Sequence, residues 1–369
     1  MAFMSASSRP SPRVFPFSAI VGQNQAKLAM TLALIDPGMG GVLLSGVKGT
    51  AKSTLVRALP GIVPPFRVRS GCRYHCNADS TRNLCEDCAR GRGDPVDFQP
   101  SIVTLPLGTT EDSLLGSIDM EKLLRDGTVR FEVGLLGDAN NQILYVDEVN
   151  LLPDSIADDL LDACASGWNT VERESVSVSH PAGFTLVGTM NPEEGHLRPQ
   201  LLDRFALSVR IETITDPEQR TEIISRSLSF SANPEAFAAA FTRHDESLKS
   251  RISTARRRLE QVKIRLVTLW TVAGAMASLE LDGQRPDIVT LRAARALAAL
   301  EGAPAIELDH LVRVAPLSVM HRTRGGGFSQ PPGEEDVADA LHRAAIAGEK
   351  KEGAQTAWAW DRCLEVGKR

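Results

Sequence analysis

The sequence predicts an α/β domain, a parallel sheet flanked by helices, followed by an all-helical C-terminal domain. Three observations carry that expectation. The apolar run Val42-Leu43-Leu44 ends at Gly46 and leads through a short loop to Lys52-Ser53 and a segment of helical potential. A second apolar run, Ile143-Leu144-Tyr145-Val146, ends in the acids Asp147-Glu148. In the C-terminal third, apolar residues recur at spacings of three and four, the helical period.

The stretch Gly46-Val47-Lys48-Gly49-Thr50-Ala51-Lys52-Ser53-Thr54 has the strand, loop and helix order of a phosphate-binding P-loop. In such a loop backbone N–H groups curl around a polyphosphate, and the helix N-terminus adds partial positive charge. Lys52 is expected to contact the β- and γ-phosphates, and the Ser53 hydroxyl to ligate Mg²⁺. The pattern departs from G-x-x-x-x-G-K-[ST] at Ala51, where a methyl group restricts the backbone.

The run Ile143–Glu148 reads as a buried strand that brings two carboxylates to this loop. Asp147 is expected to hold Mg²⁺ through water, and Glu148 to act as general base on the attacking water. Phe184–Met190 reads as another strand, ending at Asn191. That amide either orients the lytic water or is an ordinary turn residue. Arg198–Phe205 reads as a short helix ending in Asp203-Arg204-Phe205. Arg204 then projects as an arginine finger toward a neighbouring subunit's ATP, or pairs with Asp203 on the surface.

A Pro- and Ser-bearing connection is expected around Ser229–Pro234. It divides an α/β domain at 15–230 from a helical domain at 231–350, with tails at 1–14 and 351–369. Ile252, Ala255, Leu259, Val262, Leu266 and Leu269 recur as one apolar helical face, and Arg251, Arg258 and Arg265 as a row on another. Leu291–Leu300 is an Ala-rich helix bounded by Gly302. Gly325-Gly326-Gly327 and Pro331-Pro332-Gly333 punctuate the end, before a helical segment near Val337–Ala347.

Four of the six cysteines cluster as Cys72-x₃-Cys76-x₈-Cys85-x₂-Cys88, in a polar insertion at 70–95; Cys164 and Cys363 are isolated. Four thiolates from two short pairs satisfy tetrahedral Zn²⁺. An iron–sulfur cluster needs the same number of ligands, but an ATPase requires no redox chemistry, so zinc is the milder expectation. His75 or Asp79 offers a substitute for one thiol, and free surface cysteines are the alternative to any metal.

Together these motifs resemble the AAA+ ATPase subunit of magnesium chelatase, the I subunit of the porphyrin metal-insertion complex. The resemblance runs through Val21-Gly22-Gln23, the P-loop, Leu105-Pro106-Leu107-Gly108 and Phe131–Leu136. It continues through Ile143–Leu152, Ala165–Glu174, Val187–Gly195 and Arg198–Phe205, and more weakly at Leu291–Leu297. It implies an AAA+ P-loop NTPase with a helical lid. Arg204 looks like the finger acting in trans, Arg198 like a second interface arginine, and Arg292 like a sensor arginine laid over the nucleotide. The resemblance further implies a hexameric ring that hydrolyses MgATP, a D-type subunit with AAA+-like and integrin-like domains, and a large H-type subunit that binds the tetrapyrrole. The product is Mg²⁺ inserted into protoporphyrin IX. Related ATPases serve cobalt chelatases of cobalamin synthesis. Ala51 and the four cysteines depart from the family's pattern.

Composition is consistent with this. Apolar residues make up 43% and charged residues 24% of the 369, with room for a large core. A net charge of −5 and 5% aromatic residues argue against a nucleic-acid partner bound by bulk charge or base stacking. Met1–Pro16 has no apolar core of a signal peptide, and no run is long enough to span a membrane, so a cytoplasmic protein is expected. Two other functions fit parts of the pattern. One is an AAA+ machine of another class, remodelling nucleic acid or protein. The other is a binding module whose P-loop is degenerate at Ala51.

Overall fold

The computed structural model describes residues 14–119, 125, 130–173, 176–195, 197–324 and 330–352. The expected tails up to residue 13 and from residue 353, Glu174, the glycine triplet 325–327 and Cys363 lie outside the described residues.

Along the chain the strands are β1 (Val42–Ser45), β2 (Phe66–Arg69), β3 (Pro95–Phe98), β4 (Ile102–Leu105), β5 (Gly116–Ile118) and β6 (Phe131–Val133). They continue as β7 (Ile143–Val146), β8 (Trp168–Arg173), β9 (Val176–Pro181), β10 (Thr185–Met190) and β11 (Leu207–Arg210). Five form a parallel sheet in the order β11-β1-β10-β7-β4. The other six form three antiparallel hairpins, β2–β3, β5–β6 and β8–β9.

The central strands β1, β7 and β10 are largely apolar because both faces of the sheet are covered. Val42 and Leu44 face one core together with Ile143, Tyr145 and Val187. Leu43 faces the other, with Leu144, Val146 and Leu186. The first core continues without interruption into Ile252, Val272, Leu297, Val314 and Leu341 of the C-terminal helices. One face of the sheet and the helical region therefore share apolar packing. The N-terminal segment ties in as well. The Phe17 and Ser18 N–H groups donate to the Asp245 carboxylate at 3.2 and 2.9 Å, and the Phe15 ring packs 5.1 Å from those of Phe230 and Phe237.

Two stretches differ from expectation. The connection around Ser229–Pro234 is largely helical: Pro217–Ala232 and Pro234–Arg258 are helices with only Asn233 between them. Asn233 caps the second by accepting from Ala236 N at 3.0 Å, and Pro234 presets the first helical φ, so this proline starts a helix. The single apolar face expected from Ile252 to Leu269 is divided. The helix ends at Arg258, a 3₁₀ turn spans Leu259–Gln261, and the next helix begins at Leu266. The break is stabilised by backbone pairing of Lys263 N with Pro304 O at 2.9 Å and of Ile306 N with Lys263 O at 3.1 Å. Ile252, Ala255 and Val262 are buried across it, so burial follows the apolar pattern although helical continuity does not. The arginine row is likewise not one face, because Arg265 only precedes the new helix.

The Ala-rich helix Arg285–Glu301 ends as expected at Gly302, in the left-handed region at φ 77. None of the described helices is long and apolar enough to cross a membrane.

Candidate active site

Strand β1 delivers the chain to Gly46, whose missing side chain is a requirement. A Cβ there would collide with the Ile211 carbonyl oxygen at the end of β11. The loop then turns through Gly49 at φ 82 and Ala51 at φ 65, ψ 18. Ala51 thus adopts the left-handed conformation that glycine would hold, at a cost of about 1–2 kcal/mol for an L-residue. The departure from the usual pattern therefore strains the loop at this residue. Thr50 Oγ1 donates to Val47 O at 2.8 Å and closes the turn. Lys52 lies over it, with Nζ donating to the carbonyls of Gly46 and, at 2.8 Å, Val47. Partial burial holds the Lys52 ammonium below its ordinary pKa, against the opposing pull of Asp147 and Glu194.

Strands β7 and β10 place a polar group next to this loop. Tyr145 donates its hydroxyl to Ser53 Oγ at 3.2 Å. Thr189, fully buried in β10, donates to Asp147 Oδ1 at 2.6 Å and accepts from the Glu148 backbone N–H at 3.3 Å. Glu148 itself sits at φ 53, just past the strand. Desolvation and then the negative charge of Glu194 hold its carboxyl above the usual carboxylate range. Glu194 pairs with Lys48 at 2.5 Å, linking the far side of the loop to the end of β10. Asn191 is buried, and its Oδ1 accepts from Glu193 N at 3.3 Å. The Asn150 carboxamide and Glu194 Oε2 are buried with no hydrogen-bond partner among the described residues. Polar groups with spare bonding capacity beside a lysine-bearing loop fit a polyphosphate and its Mg²⁺. Adjoining the loop is a cavity of about 890 Å³ that runs from Gly49 and Ala51 to the apolar side chains of Ile20, Val21, Ile214 and Ile223. A triphosphate at one end and an apolar slot at the other suit a nucleotide.

Comparison with known proteins gives this arrangement a family. The model of the magnesium chelatase ChlI subunit matches residues 16–82, the AAA domain model of the dynein-related subfamily residues 97–205, and the AAA lid model residues 271–345. The chain is 46% identical over 329 residues to the magnesium-chelatase subunit ChlI of Synechocystis, covering 88% of this chain and 92% of that protein. It is 44% identical over 338 residues to the magnesium-chelatase 38 kDa subunit of Acidiphilium rubrum, covering 90% and 96%. The chain belongs to the magnesium chelatase subunit I family. It also matches a chain in the cryo-EM-based complex of the magnesium chelatase subunits BchI and BchD, at 43% identity and TM-score 0.52, over 89% of this chain and 99% of that one. A putative ATPase from Cytophaga hutchinsonii, 16% identical with TM-score 0.56 over 89% and 91%, shares the fold. The chain is accordingly an ATP-hydrolysing AAA+ protein with a helical lid.

Within this family member the structure gathers Lys52, Ser53, Asp147, Glu148 and Asn191 around the loop, but it sends the three arginines elsewhere. Arg198 pairs with Asp154, and Arg204 with Asp162 and, at 3.6 Å, Asp158. Those acids form one row on the helix Asp154–Ser166. Asp203 does not pair with Arg204 as one expectation had it; it pairs with Arg322, which is buried. Arg292 grips Asp36 with two bonds of 2.8 and 2.5 Å, beside Gly38. Thr189 and Glu194 were not expected as site residues. The signal for Thr189 is a hydroxyl inside an otherwise apolar strand; for Glu194 it is only proximity to Asn191.

The cysteine cluster lies apart from this site. The Cys72, Cys76, Cys85 and Cys88 sulfurs all fall within 4.8 Å of one another. Neither proposed substitute joins them: Asp79 pairs with Arg67, and the His75 ring stacks on Phe98 at 4.6 Å. Cys164 is separate and buried.

Proposed function

We propose that this chain is the ATPase motor of a tetrapyrrole metal chelatase. In this reading it forms a ring, expected to be hexameric, and hydrolyses MgATP at subunit interfaces to drive D-type and H-type partners that insert Mg²⁺ into protoporphyrin IX.

The chain's own residues supply most of the chemistry. The loop N–H groups and Lys52 hold the β- and γ-phosphates, and Ser53 and Asp147 hold Mg²⁺. Bound Mg²⁺ neutralises charge on the phosphates. Thr189 keeps Asp147 in one orientation through its 2.6 Å bond. Glu148, with its raised proton affinity, takes the proton of the attacking water, and Asn191 positions that water. Lys48, paired to Glu194, spans the gap between the loop and the end of β10. Arg292 couples the nucleotide state to the lid once it leaves Asp36, which holds it away from the loop in this structure.

The observation that carries the reading is the placement of the remaining cations. Arg204 and Arg198, at the two ends of the helix Pro199–Arg204, pair with the acidic row on the helix Asp154–Ser166 of the same chain rather than reaching the loop. A phosphoryl-transfer site still needs a cation for the leaving charge, which suits a finger donated to the next subunit.

Two arms test this. Lys52→Ala and Arg204→Ala should each abolish steady-state hydrolysis, while a mixture of the two proteins regains it. In the mixture, an Arg204→Ala protomer offers an intact loop to the Arg204 of a Lys52→Ala neighbour. Hydrolysis by either variant alone, or no recovery on mixing, rejects the shared site. Formation of fluorescent Mg-protoporphyrin with D-type and H-type subunits tests the substrate; activity with Co²⁺ and a corrin precursor instead would reassign it.

A further inference from the structure

We propose that Cys72, Cys76, Cys85 and Cys88 bind one structural Zn²⁺, and that this knuckle braces the chain just ahead of β7. The sulfurs converge on a single point. All four lie within 4.8 Å of one another, and Cys72 Sγ is 3.8 Å from Cys85 Sγ. Four sulfurs at about 2.3 Å from a tetrahedral ion are separated by about 3.8 Å. That spacing matches a mononuclear site. A cluster carrying its own sulfides would hold the cysteine sulfurs further apart, and two disulfides would draw them into pairs at about 2.0 Å.

The backbone is built for the same purpose. Cys72 closes a turn on β2, its N–H donating to Arg69 O at 3.1 Å, and Arg69 N donates back to Cys76 O at 3.4 Å. The Cys85 N–H donates to Cys76 Sγ at 3.3 Å, an N–H···S contact that orients this sulfur toward the other three. Cys88 follows on the one-turn helix Glu86–Ala89. Cys76 and Cys88 are buried, so half of the ligand set is shielded from water.

The knuckle grips the ATPase fold at three places. Asn140 Nδ2 donates to Tyr74 O and Asn141 Nδ2 to His75 O, the latter at 3.0 Å. The Tyr74 ring stacks on His180 of β9 at 4.9 Å. Trp168 Nε1 of β8 donates to Asn83 Oδ1 at 3.3 Å. Asn140 and Asn141 lie three and two residues ahead of the start of β7, the strand that leads into Asp147 and Glu148, and Asn140 Oδ1 also accepts from Gly183 N ahead of β10. The insertion is therefore wired to the start of both strands that present the site's acids and amide.

The full-length chain purified from zinc-supplemented cells should contain about one zinc per chain by elemental analysis. It should release that zinc as an organomercurial titrates the four thiols. Replacing zinc with Co²⁺ should give tetrahedral thiolate-to-cobalt absorption. Cys88→Ser should lower the zinc content, and because that variant can misfold, the titration and cobalt spectrum on the unaltered chain decide the matter. Removal of zinc should speed hydrogen exchange at Asn140–Ile143. Metal-free protein whose four thiols react without zinc release, iron with inorganic sulfide, or paired disulfides would overturn the site. Unchanged exchange on zinc removal would overturn the brace. None of these measurements depends on ATP hydrolysis.

Discussion

Replacing Arg322 by Met probes how the helical region holds the segment that carries Arg204. Arg322 is 1% exposed. Its Nε donates to Ser318 O at 2.6 Å, Nη1 to Asp203 O at 2.8 Å and to the Asp203 carboxylate, and Nη2 to Phe205 O at 3.2 Å. Arg285 adds a bond to Arg204 O at 2.9 Å, and His321 one to Phe205 O at 3.2 Å. The last carbonyls of the helix Pro199–Arg204, which have no partner within it, are thus satisfied by side chains from the helical region. Arg322→Met leaves Ser318 O and Asp203 O without this donor, at about 1–3 kcal/mol each where water cannot enter. Asp203 is partly exposed, so its lost ion pair costs less than a fully buried one. The expected loss is about 2–4 kcal/mol, most of it from the two carbonyls left without a donor. Urea unfolding of Arg322→Met, Asp203→Asn and the double variant measures it. The double variant should be more stable than the sum of the singles predicts, by at least about 1 kcal/mol. A loss below about 1 kcal/mol, or simple additivity, would refute the view that this clamp is an energetic link.

Three further outcomes follow from the same geometry. Ala51→Gly removes the left-handed penalty, offset by greater chain entropy, and should raise stability by about 0.5–1 kcal/mol; a lower melting temperature would contradict the strained-loop reading. Glu194→Gln removes the charge that helps hold the Glu148 carboxyl high, so the acid limb of the hydrolysis–pH profile should move to lower pH; an unmoved limb would separate the two groups. Burial and the neighbouring Arg322 push His321 down to about 3, from 6.5 in the unfolded chain. Its folded form stays neutral where the unfolded form gains a proton, so its contribution is complete above about pH 6.5 and is lost as pH falls from there toward 3. Melting curves between pH 7 and 4.5 should therefore fall more steeply for the wild type than for His321→Gln; parallel curves would exclude the buried neutral imidazole.

Much of the site could be read along the chain because its chemistry is contiguous. A P-loop is one strand, one turn and one helix start, so residues 46–54 announce it unaided, and Ala51 shows itself as the one position out of pattern. Asp147-Glu148 is legible for the same reason, as acids ending an apolar run. The helical boundaries near Asn233 and Arg258 were less legible. There a proline began a helix instead of ending one, and backbone pairing between Lys263 and residues 304–306 interrupted a periodic stretch that local pattern alone would continue.

Sequence by itself pointed to a phosphate-binding loop and to the parallel α/β architecture, since both rest on residue types at short fixed spacings, and to the family through segments matched in order along the chain. Folding in three dimensions assigned the partners: Thr189 to Asp147, Glu194 to Lys48, Arg204 to Asp162 and Arg322 to Asp203, and four thiols to one point. Those pairings depend on parallel strands joined by long crossovers and on helices packed from the far end of the chain. Side chains on such elements meet only once the strand order and the shared core have set their positions.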